Sequence, residues 1–157
     1  MQNQNQKIRS SHFLDAYAKF IKGFPPDHAY EAYKKKYYLE AVGVLHGFIE
    51  SQMRSIFQAH AIINLKNKDD KTWDIIEKID FKSISIVLFA LQLITKIQLD
   101  KLTALNGLRN EIIHKYFYEP FDGSYQGASI IKFASIFKPA YELSWIFNEL
   151  NEEMHSQ

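Results

Sequence analysis

Apolar residues recur along this chain at intervals of three and four over long stretches, the rhythm of helices with one buried face. Only four prolines and six glycines interrupt 157 residues, so the intervals between breaks are long. The pattern predicts a first helix over residues 7–22, stopped at Gly23-Phe24-Pro25-Pro26, where glycine releases the chain and two prolines forbid continuation. Asp27 is placed to cap a long second helix over 27–63. A polar, charged turn over 64–70 leads to a short helix over 72–79. The next segment, 81–96, is rich in β-branched residues, and a strand competes there with a helix; its length favours the helix. Asp100 caps the following helix or lies in its first turn, and that helix ends before Pro120, at a turn over 120–124. A last helix spans 128–154, with Pro139 expected to kink or break it. Long helices joined by short turns imply an all-α fold, an antiparallel up-and-down helical bundle of about five helices.

Length adds that one domain, 1–157, accommodates the whole pattern, with residues 1–6 reading as a frayed polar arm. The balance of 46% hydrophobic and 24% charged residues is that of a globular fold, with a high 15% aromatic fraction. There is no cysteine, which removes disulfides, thiolate metal sites and cysteine nucleophiles and suits a reducing cytoplasm. The expected location is cytoplasmic. The most hydrophobic stretch, 83–95, is shorter than the ~20 residues that span a bilayer, so no membrane partner is expected. The formal charge of +1 supplies no general attraction for a polyanion. Lys34-Lys35-Lys36 and the lysines of 66–71 are the basic clusters, and each reads as a solvated face. Tyr30, Tyr33, Tyr37 and Tyr38 keep a helical rhythm that suits core or dimer surface better than an RNA stacking platform.

Chemistry concentrates in one helix. On a helical wheel of 99–117, Leu102, Leu105, Leu108, Ile112, Ile113 and Tyr116 form one apolar stripe. Arg109 falls inside that stripe, although arginine is rarely buried without a partner. Glu50 and Glu40, on the preceding long helix, are the carboxylates considered for it, and the sequence does not choose between them. Thr103, Asn106, Gly107, Asn110 and His114 make a flank of small and polar residues; Asp100, Glu111 and Lys115 face outward. Arginine matches two phosphate oxygens with a planar fork, and histidine exchanges a proton near neutral pH. Together they suit cleavage of an RNA phosphodiester by its own 2′-hydroxyl, which requires no metal or other cofactor. Asn110, one turn before His114, can orient the imidazole or bind a phosphate oxygen or the 2′-hydroxyl.

The run Leu108-Arg109-Asn110-Glu111-Ile112-Ile113-His114-Lys115-Tyr116 resembles the signature of the HEPN superfamily, an arginine and a polar residue followed by a histidine. Its continuation to Tyr116 is similar to the longer form found in HEPN toxins paired with minimal nucleotidyltransferase antitoxins. The resemblance implies a helical bundle that forms a homodimer, so that two motifs face one cleft and cleave RNA, with Arg109, Asn110 and His114 as catalytic residues. It also implies a minimal nucleotidyltransferase antitoxin as partner. In such toxins the tyrosine at the place of Tyr116 receives AMP, which blocks the cleft; on the wheel, a core tyrosine is the other reading of Tyr116.

Two other functional classes stay open. A non-catalytic HEPN module would use the same polar cleft for a nucleotide or a protein, and a plain helical scaffold would leave Arg109 in the stripe unexplained. Glu111-Ile-Ile-His114 also fits the Glu-x-x-His of a di-iron bundle, but no second copy accompanies it. His46 and Glu50, four apart, are a weaker metal pair. His12, His28, His60 and His155 read as structural or surface residues.

Overall fold

The computed structural model describes residues 23–66, 71–116 and 128–156, with only the backbone of 115 and 116. Among them are six helices: α1 Pro25–Lys34, α2 Tyr38–Ile63, α3 Thr72–Ile76, α4 Phe81–Ala90, α5 Lys96–Tyr116 and α6 Ile130–His155. The fold is an all-α bundle. The helix expected over 7–22, the arm 1–6 and the turn over 120–124 lie outside the described residues.

The single helix expected over 27–63 is two. At Lys36 the backbone enters the left-handed region, φ 65°. Lys36 N–H donates to the carbonyl of Tyr33 (3.0 Å) and Tyr37 N–H to that of Ala32 (2.9 Å). This is a Schellman closure without the usual glycine, which is why the sequence pattern hides it. α1 also begins ahead of Asp27: Phe24 is its N-cap, and Pro25 and Pro26 occupy positions whose missing N–H groups have no intrahelical acceptor anyway. The segment 81–96 is helical only to Ala90 and closes the same way, with Gln92 at φ 59°.

α5 starts at Lys96, ahead of Asp100. Thr95 and Gln98 form a reciprocal capping box, Thr95 N–H to Gln98 Oε1 (2.7 Å) and Gln98 N–H to Thr95 Oγ1 (3.3 Å). Asp100 instead pairs with Lys96. α6 runs through Pro139 without a break. Phe137, Ala140 and Leu143 around it are buried, and this packing outweighs the hydrogen bond that proline cannot donate.

Pairings along the helices fix their directions. His28 meets Glu40 and Phe24 meets Phe48, so α1 and α2 are antiparallel. Lys132 meets Glu111, while Ser135, Ile136 and Pro139 line a groove with Ile97, Lys101 and Ala104, so α5 and α6 are antiparallel as well. α2 and α6 run the same way, with Tyr38 against Phe133 and Gln52 bonded to Asn151. α2 is the hub, touching every other helix. Its buried Leu45, Ile49, Met53 and Ile56 meet Ile84 and Leu88 of α4, Leu102, Leu105 and Leu108 of α5, and Phe133, Phe137 and Phe147 of α6 in one core. Tyr33 stacks on Phe137 at 4.9 Å and Tyr30 on Tyr141 at 4.8 Å, so these rings pack the α1–α6 seam, whereas Tyr37 is exposed.

Candidate functional site

The polar residue next to a core leucine is the recurring device where α2, α4 and α5 meet. His46 follows Leu45, Asn106 follows Leu105 and Arg109 follows Leu108, and each leucine is buried. A residue ~100° round from a core position sits at the border between core and solvent. These border residues, with Glu50, Asp80, Phe81, Lys82 and Asn110, line a cleft of about 300 Å³.

Each wall is held in place. Asp80 caps α4, accepting from Ser83 N–H (2.9 Å) and from the Ser83 hydroxyl (2.8 Å). Those bonds, the backbone one foremost, hold its pKa below the usual 3.8. Arg54 straps the approach to α4 onto α2: its Nε and Nη2 donate to the Ile79 carbonyl (3.2 and 2.8 Å), and Nη2 also donates to Glu50 Oε1 (2.9 Å). His46 lies against Phe81, ring centroids 4.0 Å apart, and its Nε2 is 3.1 Å from Asn106 Oδ1. Burial lowers the His46 pKa, and the Arg109 charge adds to this; the bond to Asn106 and the Glu50 carboxylate oppose it.

Arg109 reaches along its own helix, Nη1 donating to Asn110 Oδ1 at 3.0 Å. A guanidinium has no acceptor atom, so the amide must offer its oxygen to it. Among the described residues no other acceptor takes the Nδ2 donors of Asn110 or the remaining guanidinium N–H groups, which leaves them to serve the cleft. Exposed Lys82 stands at the rim in no ion pair with a described residue. Arg109, Lys82 and the Asn110 amide offer donors that fit the oxygens of a phosphate, beside the carboxylates of Glu50, tied to Arg54, and Asp80, tied to Ser83.

The motif helix thus brings Arg109 and Asn110 into one cleft. Arg109 is half-buried, which removes the demand for the compensating carboxylate expected on sequence grounds. Glu50 lines the same cleft but is tied to Arg54, and Glu40 is bound to His28 at 2.6 Å. His114 is exposed and not among the cleft-lining residues. It follows Asn110 by four residues, so on the helix it stands ~6 Å further along and ~40° round, on the same flank. Of the apolar stripe, Leu102, Leu105, Leu108 and Ile112 are buried and Ile113 is half-buried; the Tyr116 side chain lies outside the described residues.

Sequence reasoning missed His46 as a cleft residue, and Arg54, Asp80 and Lys82 altogether. The available signal was His46, Glu50 and Arg54 at four-residue steps on one face of α2, of which His46 and Glu50 read only as a metal pair. Among the described residues no three His, Asp or Glu side chains gather as metal ligands, and no helix is long and apolar enough to cross a membrane. No protein-family model, curated protein or solved structure matches this chain.

Proposed function

We propose that this protein is a dimeric endoribonuclease of HEPN type that cleaves single-stranded RNA without a metal ion. The observation that carries the reading is the shared cleft of Arg109 and Asn110, whose free donors suit a phosphate, one helical turn from an exposed histidine. In the proposed step His114 takes the proton of a 2′-hydroxyl, and the oxygen attacks the adjacent phosphorus. The bond to the 5′-oxygen breaks, and that oxygen takes a proton from water, to which the protonated His114 returns the one it accepted. Arg109 neutralises the charge that builds on the phosphoryl oxygens, and Asn110 orients the phosphate or the 2′-hydroxyl. The products are a 2′,3′-cyclic phosphate and a 5′-hydroxyl.

The biological setting proposed is a cytoplasmic toxin of a toxin–antitoxin pair or related defence system. A minimal nucleotidyltransferase is the proposed antitoxin, and Tyr116 the proposed acceptor of AMP. Exposed Gly107 on α5, with nothing within 4 Å of the place a Cβ would take, leaves room for the second copy that the reading requires along the motif helix. Incubation of the full chain with single-stranded RNA in excess chelator tests the reading. Cleavage is expected to persist, leave cyclic phosphate ends and vanish with 2′-deoxy substitution at the cut site. Loss of all cleavage on chelation would overturn it.

The position of His114 outside the cleft favours one second reading, a non-catalytic module that binds a nucleotide or a protein partner through the same residues. Under it, RNA binds and is never cut.

A further inference from the structure

The cleft holds one titratable ring that the proposed reaction leaves without a role. His46 is 8% exposed, lies on Phe81 with 22° between the ring planes, and meets Asn106 Oδ1 through Nε2 at 3.1 Å. Neighbouring charges come from every wall: Glu50 on its own helix, Asp80 and Lys82 at the start of α4, and Arg109 on α5. An amide oxygen only accepts, so Nε2 carries the ring proton and Nδ1 carries the lone pair of the neutral form. With its oxygen occupied, Asn106 has two N–H donors left.

We propose that His46 is a positioning residue that fixes the Asn106 amide with its NH₂ toward the cleft, making Asn106 a third donor to phosphate beside Arg109 and Asn110. The inference rests on the phosphodiester reading above and extends its site from α5 to α2. With the amide reversed, Nδ2 would donate to a bare Nε2 and the oxygen would face the incoming anion. An acceptor beside a phosphate oxygen repels it, so the His46 tautomer sets the polarity of that wall. Phe81 serves the same end by holding the ring in place. The sense of the hydrogen bond, not the charge of His46, is what matters.

The test uses the full chain and a single-stranded oligonucleotide with 2′-deoxy sugars throughout, which binds without being cut, read by fluorescence anisotropy. His46→Phe keeps the ring volume and loses the donor, and Asn106→Ala removes the amide it orients. Each is expected to weaken binding about tenfold or more, the scale of a lost hydrogen bond to a charged group. His46→Gln, which can place an N–H near Nε2, is expected to restore most of the affinity. Nitrogen NMR should show the Nε2–H tautomer of His46 at neutral pH. Equal binding by wild type and a folded His46→Phe, or an Nδ1–H tautomer, would overturn the inference and leave the ribonuclease reading untouched. If His46→Phe fails to fold, Asn106→Ala decides, since it leaves the buried ring in place. Binding by wild type that never leads to cleavage of RNA would end the ribonuclease reading and leave His46 in its role; absence of any binding would end both.

Discussion

Gly107 gives the motif helix a probe that separates its own stability from its contacts. It lies inside α5 and is exposed, and a Cβ built on it meets nothing within 4 Å. Glycine in a helix interior costs about 0.5–1 kcal/mol relative to alanine, because the unfolded chain loses more freedom on folding. Within one chain no neighbour collides with that Cβ, so at a dilution where the protein is monomeric Gly107→Ala should recover that amount, about 1–4 °C in Tm for a chain of this size. Gly43→Ala and Gly47→Ala on α2 have equally open surroundings and should give the same gain, as controls away from the motif. Gly107→Trp starts from that exposed Cβ position and would obstruct a second helix in close approach. The expected result is a folded Gly107→Trp protein that is monomeric by light scattering at micromolar concentration and cleaves RNA poorly. Wild type that is itself monomeric, or a tryptophan variant that dimerises and cleaves normally, would remove the motif helix from the interface. A loss of thermal stability in Gly107→Ala at that dilution would refute the argument from open space.

Three further results are expected. His114→Ala should lower cleavage about 10²–10⁴-fold, the range for general acid–base catalysis, with RNA affinity largely kept. Arg109→Lys should stay folded and cleave poorly, since it keeps the charge and loses the two-pronged geometry; normal cleavage by either variant would take that residue out of its role. His46 predicts a pH dependence of stability. Burial holds its folded pKa below the usual 6.5, so on acidification the unfolded chain takes up the proton first. The contribution of the neutral ring is complete above about pH 6.5 and is lost as pH falls from there toward the lowered folded value. The urea midpoint should therefore fall more between about pH 7.5 and pH 5.5 in wild type than in His46→Gln, and parallel slopes would remove the linkage.

Fold class was legible because burial imposes its period on the sequence: Leu102, Leu105 and Leu108 are the core face that the wheel selects. Helix ends were less legible. Lys36 and Gln92 take the left-handed conformation that glycine usually marks, and their carbonyl-closing bonds depend on backbone geometry that any residue can adopt at a cost. Thr95 and Gln98 did carry a capping signal, but Asp100, a residue type equally suited to capping, drew the boundary to itself. Arg109 and Asn110 were legible as a pair because they share one helix. His46 was not legible as their neighbour, because 60 residues separate it from Asn106 and only the crossing of α2 and α5 brings them together. The wheel also overstated the burial of Arg109, since a long side chain can leave an apolar arc for water while its stem stays covered.

The separation of His114 from the cleft leads to a last prediction, on whether one active site draws on one chain or two. Arg109 and Asn110 form their cleft with α2 and α4 of the same chain, while His114 is exposed and does not line it. If the phosphate held by Arg109 of one copy is served by His114 of the other, each site of a symmetric dimer is composite. Arg109→Ala and His114→Ala homodimers would then be inactive for different reasons. In a mixed dimer, one site combines both lesions and the other combines the intact Arg109 of one chain with the intact His114 of the other. Random exchange makes half the dimers mixed, each with one working site of two, so an equimolar mixture should recover about a quarter of wild-type activity. A site built within one chain gives no recovery, because every chain in the mixture then carries a damaged site. Exchange must be shown first, by mass-tagging one variant and finding the hybrid. Hybrids present without activity would put Arg109 and His114 to work within the same chain, and would place the reacting phosphate on the α5 flank between Asn110 and His114.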